Sequence, residues 1–214
     1  MAEAPRPSRV TLALGVLGGA LVVFLLLPII GLISGTSFAD ARAGLAHPLV
    51  APALELSLVT TTLSVMLVVV LGTPLAWLVA RTPGRAARFL ESSLKLPIVL
   101  PPAVAGLGLL LAFGRASALG ELLARVGVSV PFTTTAVVLA QVFVSAPFYV
   151  EAAIAAFRRL DTSLLVIAQT LGASPARVLL RVSLPLAAPG LLSGAALSWA
   201  RALGEFGATL MFAG

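Results

Sequence analysis

The sequence predicts an all-α integral membrane protein with five membrane-spanning helices. Of its 214 residues, 59% are hydrophobic and 10% are charged, and the mean hydropathy is +1.11. Soluble domains are apolar at roughly 45 to 50% of positions, so this composition indicates a protein embedded in lipid. Five apolar runs approach or exceed the ~20 residues that cross a hydrocarbon core. They cover residues 10–33, 56–80, 96–113, 133–157 and 187–212.

The first run predicts a retained anchor rather than a cleaved secretory signal. Arg6 and Arg9 precede it, and Ala39-Asp40-Ala41 resembles a small-residue cleavage site. However, the run is far longer than the ~7 to 15 apolar residues of a signal peptide. We therefore expect this segment to stay in the membrane.

The second and third runs carry polar or helix-breaking residues. Ser57, Thr61 and Ser64 share one helical face of the second run, where they either line a polar path or form bonds within and between helices. The third run, LPIVLPPAVAGLGLLLAF, contains three prolines, so it cannot form a straight, fully hydrogen-bonded helix. One possibility is irregular backbone that faces protein or a water-filled cavity. The other is a helix that is only kinked and packs on its neighbours.

Three ionisable groups fall in or near the fourth and fifth runs. Glu151 either reaches the interface or pairs with Arg158 or Arg159. Arg201 and Glu205 lie four residues apart, so we predict that they neutralise each other. The alternative is that this pair borders a substrate path, since charges within a membrane span often mark one.

Small residues recur every four positions along the fifth run. They are Gly190, Gly194, Ser198 and Ala202. Small side chains let two helix backbones approach closely, so this row predicts a face that packs against another helix.

A punctuated helix-turn-helix separates the fourth and fifth runs. Residues 161–163 offer capping oxygens, Gly172 lies where a helix ends, and Ser174-Pro175 begins another with a side-chain cap. Arg177 and Arg181 then share one face, opposite Val178, Leu179 and Val182. A linker alone needs no such design, and we therefore predict a surface that contacts a partner.

The distribution of charge predicts the orientation of the chain. With the N-terminus inside, ten basic residues lie on the cytoplasmic side and three lie opposite. This asymmetry follows the positive-inside rule, so the net charge of +6 reflects topology rather than nucleic-acid binding. The ten are Arg6, Arg9, Arg81, Arg85, Arg88, Lys95, Arg158, Arg159, Arg177 and Arg181, and the three are Arg42, Arg115 and Arg125.

The sequence offers no catalytic machinery. It has no cysteine, no HExxH or GxSxG motif, and one histidine, His47, in a predicted loop, so we expect no metal site. Lys95 is the only lysine and lacks the glycine frame of a phosphate-binding loop. If ATP powers this protein, a separate ATPase must bind it.

The segment IAQTLGASPARVLLRVSLP at 167–185 resembles the cytoplasmic signature of ATP-binding-cassette (ABC) importer permeases. That signature reads Glu-Ala-Ala, three residues, Gly, nine residues, Ile-x-Leu-Pro. Gly172 matches its glycine, whereas Val166 and Ile167 stand at the positions of its glutamate and first alanine. The loss of this carboxylate removes one group that could contact a basic residue of the partner.

Three other segments resemble the molybdate or tungstate branch of these permeases. They are RALGEFGATLMFAG at 201–214, LPIVLPPAVAGLGLLLAFGR at 96–115 and VVLAQVFVSAPFYVEAA at 137–153. Sulfate and thiosulfate permeases share a related form of the first, so these oxyanions and tungstate are alternatives to molybdate. The resemblance covers residues 54–214, and leaves 1–53 as a cytoplasmic tail, a first span and an outer loop.

The resemblance implies a type I ABC importer transmembrane domain in the inner membrane, with a cytoplasmic N-terminus. It implies a permease homodimer, a cytoplasmic ATPase dimer that binds ATP and Mg, and an extracytoplasmic oxyanion-binding protein, with no cofactor in this chain. The coupling element, residues 158–185, would be seated in a groove of the ATPase. Its candidate contact residues are Ala168, Gly172, Ala173, Ser174, Pro175, Arg177, Val178, Arg181, Leu184 and Pro185.

The same resemblance also bears on the length of the chain and on its class. Relatives continue into a sixth span after a Phe-Ala-Gly motif. Either the C-terminus of this chain lies outside, or the chain is a fragment of a six-span protein, which is what we expect. A membrane scaffold that does not transport is the remaining alternative class, and binding of a cognate ATPase would argue against it.

Overall fold

A computed structural model describes residues 9–213 of the chain, and these residues are helical, with no strand among them. Arg6 and Gly214, which contribute to the predicted topology and to the last motif, lie outside the described residues. The helices are α1 (Arg9–Gly35), α2 (Phe38–Leu45), α3 (Val50–Arg81), α4 (Arg85–Leu94), α5 (Leu96–Val99), α6 (Pro102–Phe113), α7 (Ala118–Arg125), α8 (Thr134–Arg158), α9 (Thr162–Thr170), α10 (Pro175–Val178), α11 (Leu184–Leu203) and α12 (Gly207–Ala213). A short π-helical segment, Leu179–Ser183, joins α10 to α11. The predicted all-α membrane fold is therefore confirmed.

Within residues 9–213, four helical stretches are long and apolar enough to cross a membrane. They cover Val10–Gly35, Val50–Arg81, Thr134–Arg158 and Pro175–Leu203. A fifth span exists only if the stretch Arg85–Val99 and α6, which meet at a bend of 114°, are counted as one. The predicted break in the proline-rich run is confirmed, because Pro101 and Pro102 interrupt the backbone hydrogen bonding between α5 and α6.

The prediction of one continuous span over 187–212 is wrong. Helix α11 ends at Leu203, and α12 begins only at Gly207. Gly204 closes α11, and its N–H donates to the carbonyl of Ala200 at 3.2 Å. The outer loop predicted after the first span also contains a helix, α2, whose first turn is capped by Ser37.

The chain divides into two compact units between Leu54 and Glu55. In the first unit, α1 exposes its apolar side chains along the whole helix, as a helix surrounded by lipid does. The second unit is built around α8, which carries buried residues of both of its apolar clusters.

Helix α8 contacts different helices along its length. Toward its C-terminal end, Tyr149, Ile154 and Phe157 are buried with residues of α3 and α11. Toward its N-terminal end, Ala136 and Ala140 belong to a second cluster shared with α6 and α12. Small residues make the α8–α11 contact close: a Cβ placed on Gly190 or Gly194 would lie only 2.6 or 2.7 Å from an alanine Cβ of α8.

The predicted small-residue packing face is therefore confirmed. Ser198 and Ala202 have no exposed surface, and the hydroxyl of Ser198 donates to the carbonyl of Ser145 on α8 at 3.1 Å. Methyl groups at the two glycines would push α8 and α11 apart, so glycine is required there by space rather than by backbone conformation.

Candidate functional site

The predicted helix-turn-helix is present and begins with a capped helix. Asp161 is the N-cap of α9, and its Oδ1 accepts a hydrogen bond from the N–H of Ser163 at 2.8 Å. Hydrogen bonding from the Ser163 side chain, and secondly from its backbone N–H, favours the ionised carboxylate and lowers the pKa of Asp161 below its usual value. Helix α9 therefore starts at a fixed residue even though Asp161 is exposed to solvent.

The turn between α9 and α10 depends on Gly172, whose φ is +84°. Its N–H donates to the carbonyl of Gln169 at 2.9 Å, and the N–H of Ala173 donates to the carbonyl of Ala168 at 3.0 Å. This pair of bonds is the Schellman motif, in which a residue with left-handed backbone closes a helix. The predicted stop at Gly172 is confirmed.

The predicted cap, Ser174, lies two residues later, and α10 begins at Pro175. The hydroxyl of Ser174 accepts from the N–H of Arg177 at 3.4 Å, and Pro175 occupies the first turn. Arg177 Nη1 also lies 3.4 Å from the carbonyl oxygen of Gly172 and donates to it. The two helices and their turn therefore form one locally bonded unit.

This helix-turn-helix exposes an apolar surface together with two arginines. Leu164, Val166, Ile167 and Leu171 are exposed, and Leu171 is 82% exposed. We call these four residues the exposed face of α9. Val166 and Ile167, which replace the signature glutamate and alanine, lie on this face, so the replacement makes the surface more apolar without disturbing the turn.

The predicted contact residues fall on both sides of α10. Arg177 and Arg181 are exposed, whereas Val178 is buried and fixes the short helix to the protein. Leu184 is half-buried and Pro185 exposed in the first turn of α11. Because the π-helical segment joins α10 to α11 without a loop, the second half of the element continues directly into the last long span.

The hydroxyl-bearing face of α3 meets α8 through a buried polar cluster. Ser64 Oγ lies 2.7 Å from the carbonyl oxygen of Thr60 and 2.9 Å from Gln141 Oε1. Gln141 Nε2 in turn donates to Thr61 Oγ1 at 3.2 Å. Thr61 and Ser64 are fully buried, while Ser57 is half-buried.

This polar cluster joins two helices, and a role in lining a pathway stays a prediction. Gln141 was missed at the level of sequence. An uncharged amide inside a membrane-length run was the signal for it, because such a group must find hydrogen-bond partners in the protein.

Arg201 and Glu205 form the predicted ion pair, with Nη2 and Oε2 2.7 Å apart. The side chain of Glu205 is 1% exposed and that of Arg201 is 28% exposed. Glu205 Oε1 also accepts from the N–H of Ala208 at 2.6 Å, at the start of α12. The carboxylate therefore links the end of α11 to α12, which sequence spacing did not show.

Of the two alternatives for Glu151, pairing with Arg158 or Arg159 is wrong, and contact with the interface stays a prediction. Glu151 Oε2 lies 3.1 Å from Lys95 Nζ, and Arg158 instead makes a bidentate contact to Glu91 at 2.7 and 3.2 Å. Glu91 also lies 3.6 Å from Lys95, so four charges connect α4 to α8. The signal that was overlooked is the four-residue spacing of Glu91 and Lys95.

Comparison of the sequence with known proteins finds similarity to transport proteins. Residues 72–214 match the family described as binding-protein-dependent transport system inner membrane component. The chain is 45% identical over 193 residues to the molybdenum transport system permease protein ModB of Mycobacterium tuberculosis, covering 90% of this chain and 73% of that relative.

Two further relatives widen the range of source organisms. The chain is 42% identical over 163 residues to the ModB protein of Escherichia coli, covering 75% of this chain and 70% of the relative. It is 34% identical over 202 residues to the molybdate/tungstate transport system permease protein WtpB of Pyrococcus abyssi, covering 92% and 75%.

Proposed function

The chain belongs to the family of binding-protein-dependent transport system inner membrane components, and from this premise we propose that it is the permease subunit of an ATP-driven molybdate importer. It is a multi-pass inner-membrane protein and a transporter subunit rather than an enzyme. It acts in a complex with an ATPase and a substrate-binding protein. The relatives named for molybdenum transport support the substrate.

The helix-turn-helix is our proposed contact with the ATPase. The observation that carries this proposal is its construction: the exposed face of α9 and the exposed arginines Arg177 and Arg181 stand on a turn fixed by Gly172. The apolar side chains would supply contact area, and the two positive charges would set the register on the partner. The ATPase, not this chain, would bind ATP and Mg.

The connection to the membrane part suggests how nucleotide-driven motion is transmitted. Helix α10 runs through the π-helical segment into α11, so displacement of the coupling element would move that span as a rigid lever. At the far end of α11, Glu205 contacts both Arg201 and α12. Displacement of α11 would therefore also move α12, which packs on α6.

The assembly that we propose contains two copies of this chain, with the N-terminus in the cytoplasm. The excess of basic residues on one set of loops supports this orientation. A homodimer would place two coupling elements opposite two ATPase subunits.

Transport in proteoliposomes tests the substrate and the partners together. Vesicles that contain the chain, its ATPase and its binding protein should take up labelled molybdate only when ATP is present on the side of the membrane where the ATPase lies. A chain carrying Arg177→Glu and Arg181→Glu should bind the ATPase more weakly, and its rate of molybdate uptake should fall in proportion to that loss of binding. Uptake of sulfate without uptake of molybdate would refute the substrate proposal.

A further inference from the structure

A basic cavity of about 470 Å³ lies where α3 ends and the chain turns into α4. Three arginines from three different helices line it: Arg81 at the end of α3, Arg88 on α4 and Arg158 at the end of α8. None of the residues proposed to contact the ATPase lines this cavity. Its remaining lining residues are Val79, Ala80, Thr82, Pro83, Gly84 and Ala87.

The positive charge of this cavity is only partly neutralised. Arg158 is paired with Glu91, whereas neither Arg81 nor Arg88 forms a salt bridge with any residue in 9–213. Arg81 Nη2 is buried and has no hydrogen-bond partner among the described residues. Arg81, Arg88 and Arg158 together with Glu91 leave two net positive charges. In addition, a buried guanidinium nitrogen without an acceptor is costly unless an anion contacts it.

The start of α4 adds a second source of positive potential to the same cavity. Gly84 is the N-cap of this ten-residue helix, provides no side-chain cap, and is followed by no acidic residue in the first turn. The first N–H groups of such a helix have no intrahelical acceptor and favour a negative group nearby. The cavity residues Thr82, Pro83 and Gly84 immediately precede the first residue of α4, Arg85.

The surroundings of the cavity favour a lipid over a free anion. It lies at the end of the membrane-spanning helix α3, and α4, whose Ala87 and Arg88 line it, continues with two exposed apolar side chains, Phe89 at 77% and Leu90 at 38%. A free oxyanion gains nothing from apolar surface, whereas a phospholipid can place its phosphate among the arginines and its acyl chains against exposed apolar side chains of α3 and α4.

We propose that the cavity formed by Arg81, Arg88 and Arg158 binds the phosphate group of an anionic phospholipid. Given the proposed orientation of the chain, this lipid belongs to the cytoplasmic leaflet. Because Arg158 and Glu91 also hold α4 against α8, the bound phosphate fixes the α3–α4 turn to the same helix that packs on α11. The lipid site is independent of the identity of the transported anion.

Lipid titration of the purified permease in neutral detergent tests this proposal. Retained lipids are counted by native mass spectrometry, and the thermal unfolding midpoint is followed, with phosphatidylglycerol and with phosphatidylcholine of the same acyl chains. We expect phosphatidylglycerol to bind and to raise the midpoint, and phosphatidylcholine to do neither. The double variant Arg81→Gln, Arg88→Gln should bind phosphatidylglycerol about 25-fold more weakly, since each basic residue near the lipid surface contributes about fivefold.

Arg159→Gln is the matched control, because it removes one charge beside Arg158 from a residue that does not line the cavity. It should retain wild-type lipid binding. If the double glutamine variant does not fold, Arg81→Lys with Arg88→Lys keeps the charge and should keep most of the preference for phosphatidylglycerol over phosphatidylcholine.

Three results would overturn the lipid proposal. The first is equal binding of the two lipids, and the second is an equal loss of binding in Arg159→Gln and in the double variant. The third is displacement of phosphatidylglycerol by millimolar inorganic phosphate, which would identify the ligand as a free oxyanion. None of these measurements depends on molybdate transport, so failure of the lipid proposal is distinct from failure of the proposed function.

Discussion

Substitution of Gly172 tests whether the turn of the coupling element determines docking of the ATPase. Its φ of +84° lies in the left-handed region, and a Cβ built on it meets nothing within 4 Å. A Cβ therefore encounters no neighbour, so the cost of Gly172→Ala comes from the backbone. That cost is about 1–2 kcal/mol for an ordinary L-residue, less for asparagine and more for a β-branched one.

This reasoning predicts a graded series rather than a single loss. If docking requires the native turn, Gly172→Ala should weaken the affinity for the ATPase by about 5- to 30-fold, the equivalent of 1–2 kcal/mol. Gly172→Asn should weaken it less and Gly172→Val more. The assay is titration of the purified ATPase onto detergent-solubilised permease, followed by ATPase stimulation at saturating permease.

The matched control is Gly44→Val in α2, where a Cβ also meets nothing within 4 Å but the backbone is not left-handed. It should dock with wild-type affinity. Wild-type docking by Gly172→Val would refute the argument, as would an asparagine variant that docks less well than the valine variant, because backbone strain cannot produce either result.

Three further predictions concern packing, charge and pH. Gly194→Ala should destabilise the protein by about 1–3 kcal/mol in denaturant unfolding, because its Cβ would lie 2.7 Å from that of Ala152, and adding Ala152→Gly should recover most of the loss. Glu205→Gln should cost about 1–3 kcal/mol by leaving Arg201 without its carboxylate, and a double-mutant cycle with Arg201→Gln should show positive coupling. Asp161 has a lowered pKa in the folded state, so the stability from its cap is present above the unfolded pKa and is lost as pH falls through the folded value. Asp161→Asn keeps a cap that does not titrate, and its unfolding midpoint should therefore fall less than that of the wild type in acid.

The helix-turn-helix could be predicted from sequence because its determinants are local. Asp161, Gly172 and Ser174 each act on backbone groups two to four residues away, and the structure shows these bonds. Caps and left-handed glycines need no information about distant parts of the chain. The Arg201–Glu205 pair was predictable from its four-residue spacing, and the two side chains meet although Glu205 lies two residues beyond the end of α11.

The charge network and the end of the last span could not be predicted in this way. Glu151 contacts Lys95 only because α8 lies beside α5, and the spacing of charges along α8 instead suggested a local partner. The final apolar run is hydrophobic on both sides of Gly204, so hydropathy alone does not mark the turn. A buried carboxylate that caps α12 replaces the continuous helix there, and α12 packs on α6.

Hydropathy alone does not show which span is most buried within the second unit. There α8 has a mean hydropathy of 1.7 and is 56% buried, whereas the less apolar stretch Pro175–Leu203 has 1.5 and is only 22% buried. Lipid is as apolar as a protein core, so a helix that faces lipid gains from large apolar side chains, while a helix that faces other helices gains from small and polar ones. The contacts of α8 depend instead on particular residues: Ala152 and Ala156 admit α11, and Gln141 bonds α3. In the second unit, small and amide-bearing residues are therefore a better sign than hydropathy of the span that organises the packing.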